Sequence, residues 1–150
     1  KTPKIWKQVA DPSGFINSNY GWCIYSLENY SQYEHCKNEL IKNPNSRRAT
    51  MIYNRPSMWF DYNKNGMSDF ICTYSCQYFI RDNKLIADIN MRSNDCWAGY
   101  RNDKKWQDYV HQHLANDLNI EKGVMYWKAG SLHLYEKQFD LIEKYINEIN

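Results

Sequence analysis

The chain has 150 residues, of which 43% are hydrophobic and 24% are charged, a balance that excludes a disordered protein and predicts one globular domain with a single core. A formal net charge of +2 argues against a protein that coats nucleic acid or adheres to acidic membranes. No apolar run approaches the roughly 18 residues that a membrane span requires.

The cysteines indicate a reducing compartment. There are five of them, an odd number, and the opening segment KTPKIWKQVA lacks the apolar stretch of a secretion signal. We therefore expect free thiols and a cytoplasmic location.

The first half of the chain predicts one helix and one strand. Residues 11–21 (DPSGFINSNYG) are rich in turn formers and predict a loop. Apolar residues near a helical period predict a helix from Glu28 to Asn43, which the Asn43-Pro44-Asn45 segment ends. Residues 49–54 (ATMIYN) predict a strand, and residues 61–69 (DYNKNGMSD) predict a polar loop.

A hairpin is predicted next. Phe70–Arg81 is rich in aromatic and β-branched residues, Asp82-Asn83 forms a turn, and Leu85–Met91 alternates apolar with polar positions. A helix with one apolar face follows, and its apolar residues are Trp106, Tyr109, Val110, His113, Leu114 and Leu118.

The last part of the chain predicts strands at Gly123–Trp127 and Ser131–Tyr135 and an amphipathic helix at Glu136–Ile149. Strands are therefore grouped in the middle of the chain and mixed with helices. This order favours an α+β fold built on one mostly antiparallel or mixed sheet that is packed with helices.

Two basic segments suggest a phosphate site. Arg47-Arg48 follows the end of the first helix, and Arg92-Ser93 lies at the end of a strand. The arginine guanidinium offers a forked set of donors that suits phosphate. Two such segments in a nearly neutral chain suggest one small phosphorylated ligand, although spacing alone also allows Arg47 and Arg48 to be a solvated pair.

Two further residues have two interpretations each. Cys72 is either a buried structural cysteine or a nucleophile, and a nucleophile requires nearby positive charge. Asp103 lies near a helix start, where a carboxylate is often a simple N-cap. The residues alone leave both questions open.

No metal site is expected. Asp61, Asn63, Asn65 and Gly66 imitate the opening of a calcium-binding loop, but Cys72 stands where that loop needs its bidentate Glu. His111 and His113 are two apart on a helix and cannot jointly chelate, and Cys72 and Cys76 have no second cysteine pair.

Several motifs follow one another in a fixed order. A Cys is followed five residues later by Gln, then by an Arg-Ser-x-Asp motif and Gly. Upstream lie an Asn-Tyr-Gly segment and the double Arg of NPNSRR, and downstream lies the His-x-Tyr of GSLHLY. In order and spacing these motifs resemble the thymidylate synthase family, and the resemblance extends from roughly Trp6 to Tyr145. The matching positions are Tyr20, Arg47, Arg48, Cys72, Gln77, Arg92, Ser93, Asp95, Gly99, His133 and Tyr135.

Two departures narrow the resemblance. Thr73 follows Cys72 where thymidylate synthases usually have His, and Asp103 stands at the position of the Asn that reads uracil. With NSNYGW, IYNRPSM, FDYNKNGMSDF and MRSND, the chain is similar to the bacteriophage deoxycytidylate hydroxymethylases. The N4 amine of cytosine donates beside the N3 acceptor, and a carboxyl group can pair with both atoms. Because a buried mismatch is costly, this one residue can set the base preference.

The resemblance implies a folate-dependent enzyme. Such an enzyme transfers a one-carbon unit from 5,10-methylenetetrahydrofolate to C5 of dCMP and adds water, which gives 5-hydroxymethyl-dCMP and tetrahydrofolate. The alternatives are a thymidylate synthase, another pyrimidine C5-transferase of the family, or a non-catalytic nucleotide-binding fragment or subunit. The enzyme would work in the cytoplasm, that of the host if the protein is phage-encoded.

The resemblance also implies a role for each motif residue. Cys72 would be the nucleophile, and Asp103 would read cytosine. Tyr20 would act in catalysis, and Gln77 would line the same pocket. Arg92 and Ser93 would bind the phosphate, and Arg92 would also favour the Cys72 thiolate. Arg47 and Arg48 would reach the phosphate across a homodimer interface. His133 and Tyr135 would bind the sugar 3′-hydroxyl, and Asp95 would bind the folate pterin.

The resemblance finally implies what residues 1–150 leave out. Family members carry an N-terminal segment with another phosphate-binding Arg and a catalytic Glu, and a C-terminal segment that closes over the folate. We expect residues 1–150 to form a single domain that lacks both segments, with no membrane contact and no direct binding to nucleic acid.

Overall fold

A mixed four-stranded sheet is the centre of the fold. The computed structural model describes residues 4–149. The sheet has the order β1-β2-β3-β5, and its strands are β1 (Thr50–Ile52), β2 (Thr73–Arg81), β3 (Lys84–Met91) and β5 (Glu121–Ala129). β1, β2 and β3 pair antiparallel, whereas β5 runs parallel to β3. The expected α+β fold with a mixed sheet is therefore present.

A two-stranded parallel ribbon and the helices complete the architecture. The ribbon pairs β4 (Asn94–Asp95) with β6 (Leu132–His133). The helices are α1 (Lys4–Val9), α2 (Tyr20–Tyr25), α3 (Gln32–Lys42), α4 (Met58–Asp61), α5 (Gly99–Asp117) and α6 (Phe139–Ile149). Among residues 4–149, no helix is both long enough and apolar enough to cross a bilayer.

The core lies between one face of the sheet and helices α3 and α5. β3 alternates strictly, so that Leu85, Ala87, Ile89 and Met91 are buried. Helix α3 adds Tyr33, Cys36 and Leu40 to the same cluster, and α5 adds Val110, Leu114 and Ala115. The opposite face of the sheet carries exposed side chains, among them Ile52, Tyr74 and Tyr126.

The predicted hairpin is confirmed, with a later start. Asp82 and Asn83 have φ values of 50° and 57°, the left-handed conformation that a two-residue turn requires and that Asp and Asn tolerate. β2 begins at Thr73 rather than at Phe70, and its pairing with β3 is irregular between Thr73 and Ser75. Cys72 therefore precedes the strand instead of lying within it.

The helices differ more from the prediction. Helix α3 starts at Gln32 and not at Glu28, because Leu27–Asn29 forms a separate 3₁₀ turn. Tyr30 and Ser31 then take positive φ values of 62° and 44°, which interrupts the helical path. Residues 136–149 likewise divide into a 3₁₀ turn at Glu136–Gln138 and helix α6. The sequence prediction missed α1, α2 and α4.

The buried face of α5 is also different. The buried residues include Gln107 and His111, whereas Tyr109 is exposed. The sheet supplies partners for both polar side chains: the Cys76 thiol lies 3.1 Å from Oε1 of Gln107, and Nε2 of His111 lies 2.7 Å from the carbonyl oxygen of Leu85. His113, predicted to lie in the core, is only half-buried and stacks on Tyr109.

Candidate active site

One cavity gathers most of the predicted site residues. It has a volume of about 480 Å³ and lies where α2, the ribbon and the start of α5 meet. That volume falls within the roughly 300–1,000 Å³ of small-molecule sites. The predicted residues in its wall are Tyr20, Cys72, Ser93, Asp95, Asp103, His133 and Tyr135.

The Cys72 thiol is half-buried in this wall. Burial raises the pKa of the thiol, and the nearby charges of Asp103 and Asp69 raise it further. Arg92 acts in the opposite direction, because its Nη2 lies 3.6 Å from Sγ. The effect of Arg92 on the thiolate thus has the predicted sign, but burial outweighs it and the pKa is raised overall.

Arg92 is held firmly beside the Cys72 thiol. Its Nε donates to the carbonyl of Ile71 at 3.0 Å, and its Nη2 donates to the carbonyl of Phe70 at 2.8 Å. The guanidinium also lies 4.8 Å from the centre of the Phe70 ring, a cation–π contact. Arg92 lines a neighbouring groove with Trp59 and Tyr74, next to the part of the cavity wall that Cys72 forms.

Asp103 does not act as an N-cap. It is the fifth residue of α5 and points its carboxyl group into the cavity wall. Burial raises the pKa of Asp103 to about 6, and the charge of Asp95 adds to this. Asn94 partly opposes the rise, because its Nδ2 donates to Oδ2 of Asp103 at 2.8 Å. The carboxyl group is thus poised to change protonation near neutral pH.

Asp95 is the residue that caps α5. Its carboxylate accepts from the backbone N–H groups of Trp97, Ala98 and Gly99 at 3.1–3.2 Å. Burial alone would raise the pKa of Asp95, but these hydrogen bonds outweigh burial and lower it. Asp95 therefore stays ionised and fixes the start of the helix that carries Asp103.

Tyr20 and Thr73 form a pair at the base of the site. The Thr73 hydroxyl donates to the Tyr20 phenol oxygen at 3.0 Å. Burial raises the pKa of Tyr20 well above its ordinary value, so the phenol keeps its proton and can donate into the cavity. The Tyr20 ring packs edge-on against Tyr53, with centroids 5.1 Å apart.

His133 and Tyr135 lie on the other side of the cavity, at the end of the ribbon. Their rings meet edge-on with centroids 5.1 Å apart. Nδ1 of His133 lies 3.5 Å from the Ser131 hydroxyl and 3.4 Å from the Ser131 carbonyl. Both rings therefore offer polar atoms to a ligand in the cavity.

Besides Arg92, three predicted residues lie outside the cavity. Arg47 and Arg48 are exposed, and Arg48 is paired with Glu39 at 2.8 Å. Gln77 lies on β2 and donates its amide to the backbone carbonyl of Arg47 at 2.8 Å. Within one chain, these residues form a separate group beside the outer face of the sheet.

The comparisons with known proteins identify the family. Residues 1–149 match the family described as Thymidylate synthase. The chain belongs to the thymidylate synthase family. Among solved structures, the thermostable thymidylate synthase A from Bacillus subtilis superposes with a TM-score of 0.74 at 24% identity, covering 93% of this chain and 51% of that one. The fold expected for this family is therefore confirmed.

Relatives within the thymidylate synthase family are more similar in sequence. The chain is 54% identical, over 98% of its length, to the deoxycytidylate 5-hydroxymethyltransferase of Enterobacteria phage T2. It is 55% identical, over 95% of its length, to the protein of that name from Enterobacteria phage T4. The chain spans 63% and 61% of these two relatives.

The cavity of this family member also contains residues that the sequence analysis did not single out. Asn94 is buried and bonds to Asp103. Asp69 accepts from both the backbone N–H and the hydroxyl of Ser18 at 2.7 Å. Asn94 occupies the variable position of the Arg-Ser-x-Asp motif, so its place in the motif was the available signal. Among the described residues, no group of three or more His, Cys, Asp or Glu side chains could hold a metal ion.

Proposed function

We propose that this protein is a deoxycytidylate hydroxymethylase. It takes a one-carbon unit from 5,10-methylenetetrahydrofolate, places it on C5 of dCMP and adds water, releasing 5-hydroxymethyl-dCMP and tetrahydrofolate. The observation that carries the proposal is the placement of Cys72 and Asp103, a thiol and a carboxyl group with a pKa of about 6, in the wall of one cavity. The names of the two phage relatives support the same reaction.

Cys72 activates the base. Its thiolate adds to C6 of cytosine, and the electrons of the C5=C6 double bond make C5 nucleophilic. C5 then bonds to the methylene carbon that the folate supplies and loses its proton. Loss of the folate nitrogen leaves an exocyclic methylene group, water adds to it, and departure of Cys72 restores the double bond. Arg92 supports the thiolate from 3.6 Å.

Asp103 selects cytosine and handles one proton. A carboxylate oxygen can accept from the N4 amine, and a protonated carboxyl can donate to N3. Addition of sulfur at C6 makes N3 more basic, so a proton has to be shared there during the reaction. A carboxyl group with a pKa of about 6 can hold or release that proton near neutral pH.

The phosphate and the sugar would be held at two sides of the cavity. Arg92 uses Nε and Nη2 for its contacts with carbonyl groups, which leaves Nη1 to bind phosphate together with the Ser93 hydroxyl. His133 and Tyr135 lie where they could bond to the 3′-hydroxyl. The folate would lie against the part of the cavity wall that contains Asp95, Tyr20 and neighbouring apolar side chains. Asp95 would bind its pterin.

A homodimer would complete the phosphate site. Ile52, Trp59 and Tyr74 line one groove on the outer face of the sheet and are 57%, 72% and 47% exposed. Such a contiguous apolar surface is typical of an interface. Arg47 and Arg48 lie beside this face, and pairing of two copies through it would let both reach the partner's phosphate site. Gln77 would then lie at the interface beneath them.

The free thiols support a reducing location. Cys23, Cys36, Cys72, Cys76 and Cys96 are all free. The catalytic scheme requires Cys72 in its reduced form, and the cytoplasm keeps thiols reduced. The proposed site of action is the cytoplasm, that of the host cell if the protein is encoded by a phage.

The test is a product analysis by mass spectrometry. The purified chain is incubated with methylenetetrahydrofolate and either dCMP or dUMP. Gain of one CH₂O unit on dCMP alone is the expected result. Gain of one CH₂ unit on dUMP would instead identify a thymidylate synthase, and binding of nucleotide without turnover by any form of the chain would favour a non-catalytic nucleotide-binding protein.

Two cysteine variants provide the control. Cys72→Ala should abolish both product formation and the exchange of the C5 hydrogen of dCMP with D₂O, which requires only the addition of sulfur at C6. Cys96→Ala changes another half-buried thiol outside the cavity and should retain both. Retained exchange in Cys72→Ala would contradict the covalent scheme.

A further inference from the structure

A chain of two hydrogen bonds connects the sheet to Asp103. Nε1 of Trp127, on β5, donates to Oδ1 of Asn94 at 3.2 Å. Nδ2 of Asn94, on β4, donates to Oδ2 of Asp103 at 2.8 Å. Asn94 is only 2% exposed, so its amide has no solvent with which to exchange partners.

Trp127 determines which way the Asn94 amide points. An indole nitrogen can only donate a hydrogen bond, so it must face the amide oxygen of Asn94. The amide nitrogen is therefore turned towards Asp103. The main chain of Asn94 is fixed as well, because its N–H donates to the carbonyl of Ser131 at 2.8 Å.

Asn94 in turn distinguishes the two oxygens of Asp103. Oδ2 accepts a hydrogen bond from the Asn94 NH₂ group, which cannot act as an acceptor there, so Oδ2 remains unprotonated. Within residues 4–149, no protein group bonds to Oδ1. Any proton on the carboxyl group is thus directed to Oδ1, the oxygen that remains for a ligand in the cavity.

Gly99 lies beside the hydrogen bond between Asn94 and Asp103. A Cβ atom on Gly99 would lie 3.5 Å from Nδ2 of Asn94 and 3.7 Å from Oδ2 of Asp103. It would also lie 3.3 Å from Cβ of Asp95, a tight contact that a small shift of Asp95 would have to relieve. A side chain at residue 99 would therefore press on Asp95, which caps α5, whereas its distances to Asn94 and Asp103 would be ordinary van der Waals contacts.

We propose that Asn94 is a positioning residue that, oriented by Trp127, holds Oδ2 of Asp103 and thereby presents Oδ1 to the nucleotide base. The nature of that base rests on the proposed function, whereas the positioning of Asp103 does not. Because Oδ2 is held, the carboxyl group does not rotate, and the same oxygen, Oδ1, faces the base throughout the reaction.

The other ionisable groups around Asp103 do not replace Asn94. They are Asp95 on β4, Cys72 before β2 and Tyr20 on α2. Each of them is negative when ionised and therefore favours a protonated Asp103. Among the interactions that shift the pKa of Asp103, only the Asn94 amide favours the ionised form. Removal of this amide should therefore raise the pKa of Asp103.

The test compares Asn94→Ala and Trp127→Phe with the wild type. The first readout is the pKa of Asp103 in the ligand-free chain, followed by carbon-13 NMR of its carboxyl group. Loss of the donated hydrogen bond should raise that pKa in Asn94→Ala. Trp127→Phe removes only the donor and should raise the pKa by less, because the Asn94 amide can then turn its oxygen towards a protonated Asp103.

The second readout is the ratio of dCMP to dUMP affinity by calorimetry. Asn94→Ala should lower this ratio about tenfold, the loss expected for one hydrogen bond to an ionised group. Asn90→Ala and Trp22→Phe are the matched controls, because both side chains are half-buried and lie outside the cavity. They should leave both readouts unchanged, and circular dichroism verifies the fold of each variant.

The outcomes separate the inference from the proposed function. An unchanged Asp103 pKa in a folded Asn94→Ala variant would overturn the inference, whatever the substrate. An unchanged pKa in Trp127→Phe alone would overturn the role of Trp127. A wild-type chain that prefers dUMP would contradict the proposed function, while the pKa comparison would still decide whether Asn94 positions Asp103.

Discussion

The reactivity of Cys72 is set by two opposing influences. Burial raises the pKa of its thiol, and the Arg92 guanidinium 3.6 Å away lowers it. The resemblance predicted the second influence because Arg92 and Cys72 are both motif residues. Burial depends on how α2, α5 and the ribbon enclose the thiol, and no local pattern in the sequence contains that information.

Arg92→Gln should slow alkylation of Cys72 by iodoacetamide. The thiolate is the reactive form, so the rate rises with pH, and loss of the positive charge moves the rise to higher pH. Each unit of upward shift lowers the rate at pH 8 by about tenfold. Peptide mass spectrometry measures the rate at Cys72 separately from the other cysteines. Arg81→Gln, an exposed charge at the far end of β2 outside the cavity, should leave the rate unchanged; an equal effect in both variants would contradict the role of Arg92.

Asp103 should reduce stability at neutral pH. Its pKa is raised to about 6, so the folded state binds the proton more tightly than the unfolded state and ionisation between about pH 4 and pH 7 destabilises the fold. Asp103→Asn should therefore increase the free energy of unfolding at pH 8 by about 1–2 kcal/mol, less than the ~3 kcal/mol of the full shift because the carboxyl is partly exposed.

The same variant should gain little stability at pH 4, where Asp103 is protonated in the folded state. Urea unfolding across this pH range measures the difference between the variant and the wild type. A gain that is constant with pH would show that the pKa of Asp103 is not raised by the fold.

At the scale of elements, β5 approaches β3 closely at Gly123. A Cβ atom there would lie 2.8 Å from the carbonyl oxygen of Leu85 and 2.8 Å from Cδ1 of Ile86. Gly123→Ala should therefore lower the free energy of unfolding by about 1–3 kcal/mol, the range for overpacking. Gly21→Ala is the control, since its Cβ would meet neighbours at 3.6 Å. Thermal unfolding measures the stability of both variants. Equal stability of the two would contradict the close approach of β5 to β3 at Gly123.

Elements with strong local signals were predictable. The β2–β3 hairpin follows from alternation and from the Asp82-Asn83 turn, whose side chains tolerate positive φ. Helix α2 was missed because its N-cap, Asn19, stands among turn formers and its stability comes from packing of Cys23 and Ile24 in the core. The buried face of α5 was misplaced because Gln107 and His111 are polar, and their partners belong to distant strands.

At the scale of the whole molecule, the outer face of the sheet should pair two copies of the chain. Tyr126 is 53% exposed on β5, opposite Asp88 of β3 and on the face away from the core. Tyr126→Lys should shift the chain from dimer to monomer in sedimentation velocity, because a charge would be buried in an apolar interface. Tyr109→Lys changes an equally exposed tyrosine on α5 and should remain dimeric. Dimers in both variants would contradict this interface.

The candidate site could be predicted as a set of residues but not as a geometry. Motif order identified Cys72, Asp95 and Asp103, and the fold brings them to one cavity. The separation of Arg48 from that cavity depends on how the chain turns after α3, and motif spacing does not contain this path. Asn94 was missed because its contribution is a contact with Asp103, nine residues away.

The most direct test of the proposed function is the preference between the two bases that Asp103 would read. Affinities for dCMP and dUMP are measured by calorimetry for the wild type and for Asp103→Asn, with Asp108→Asn, on the same helix but outside the cavity, as the control. We expect the wild type to prefer dCMP and Asp103→Asn to shift the preference towards dUMP, because an amide offers an acceptor to the N3–H of uracil and a donor to its O4. An unchanged preference in Asp103→Asn would contradict the proposal that Asp103 selects the base.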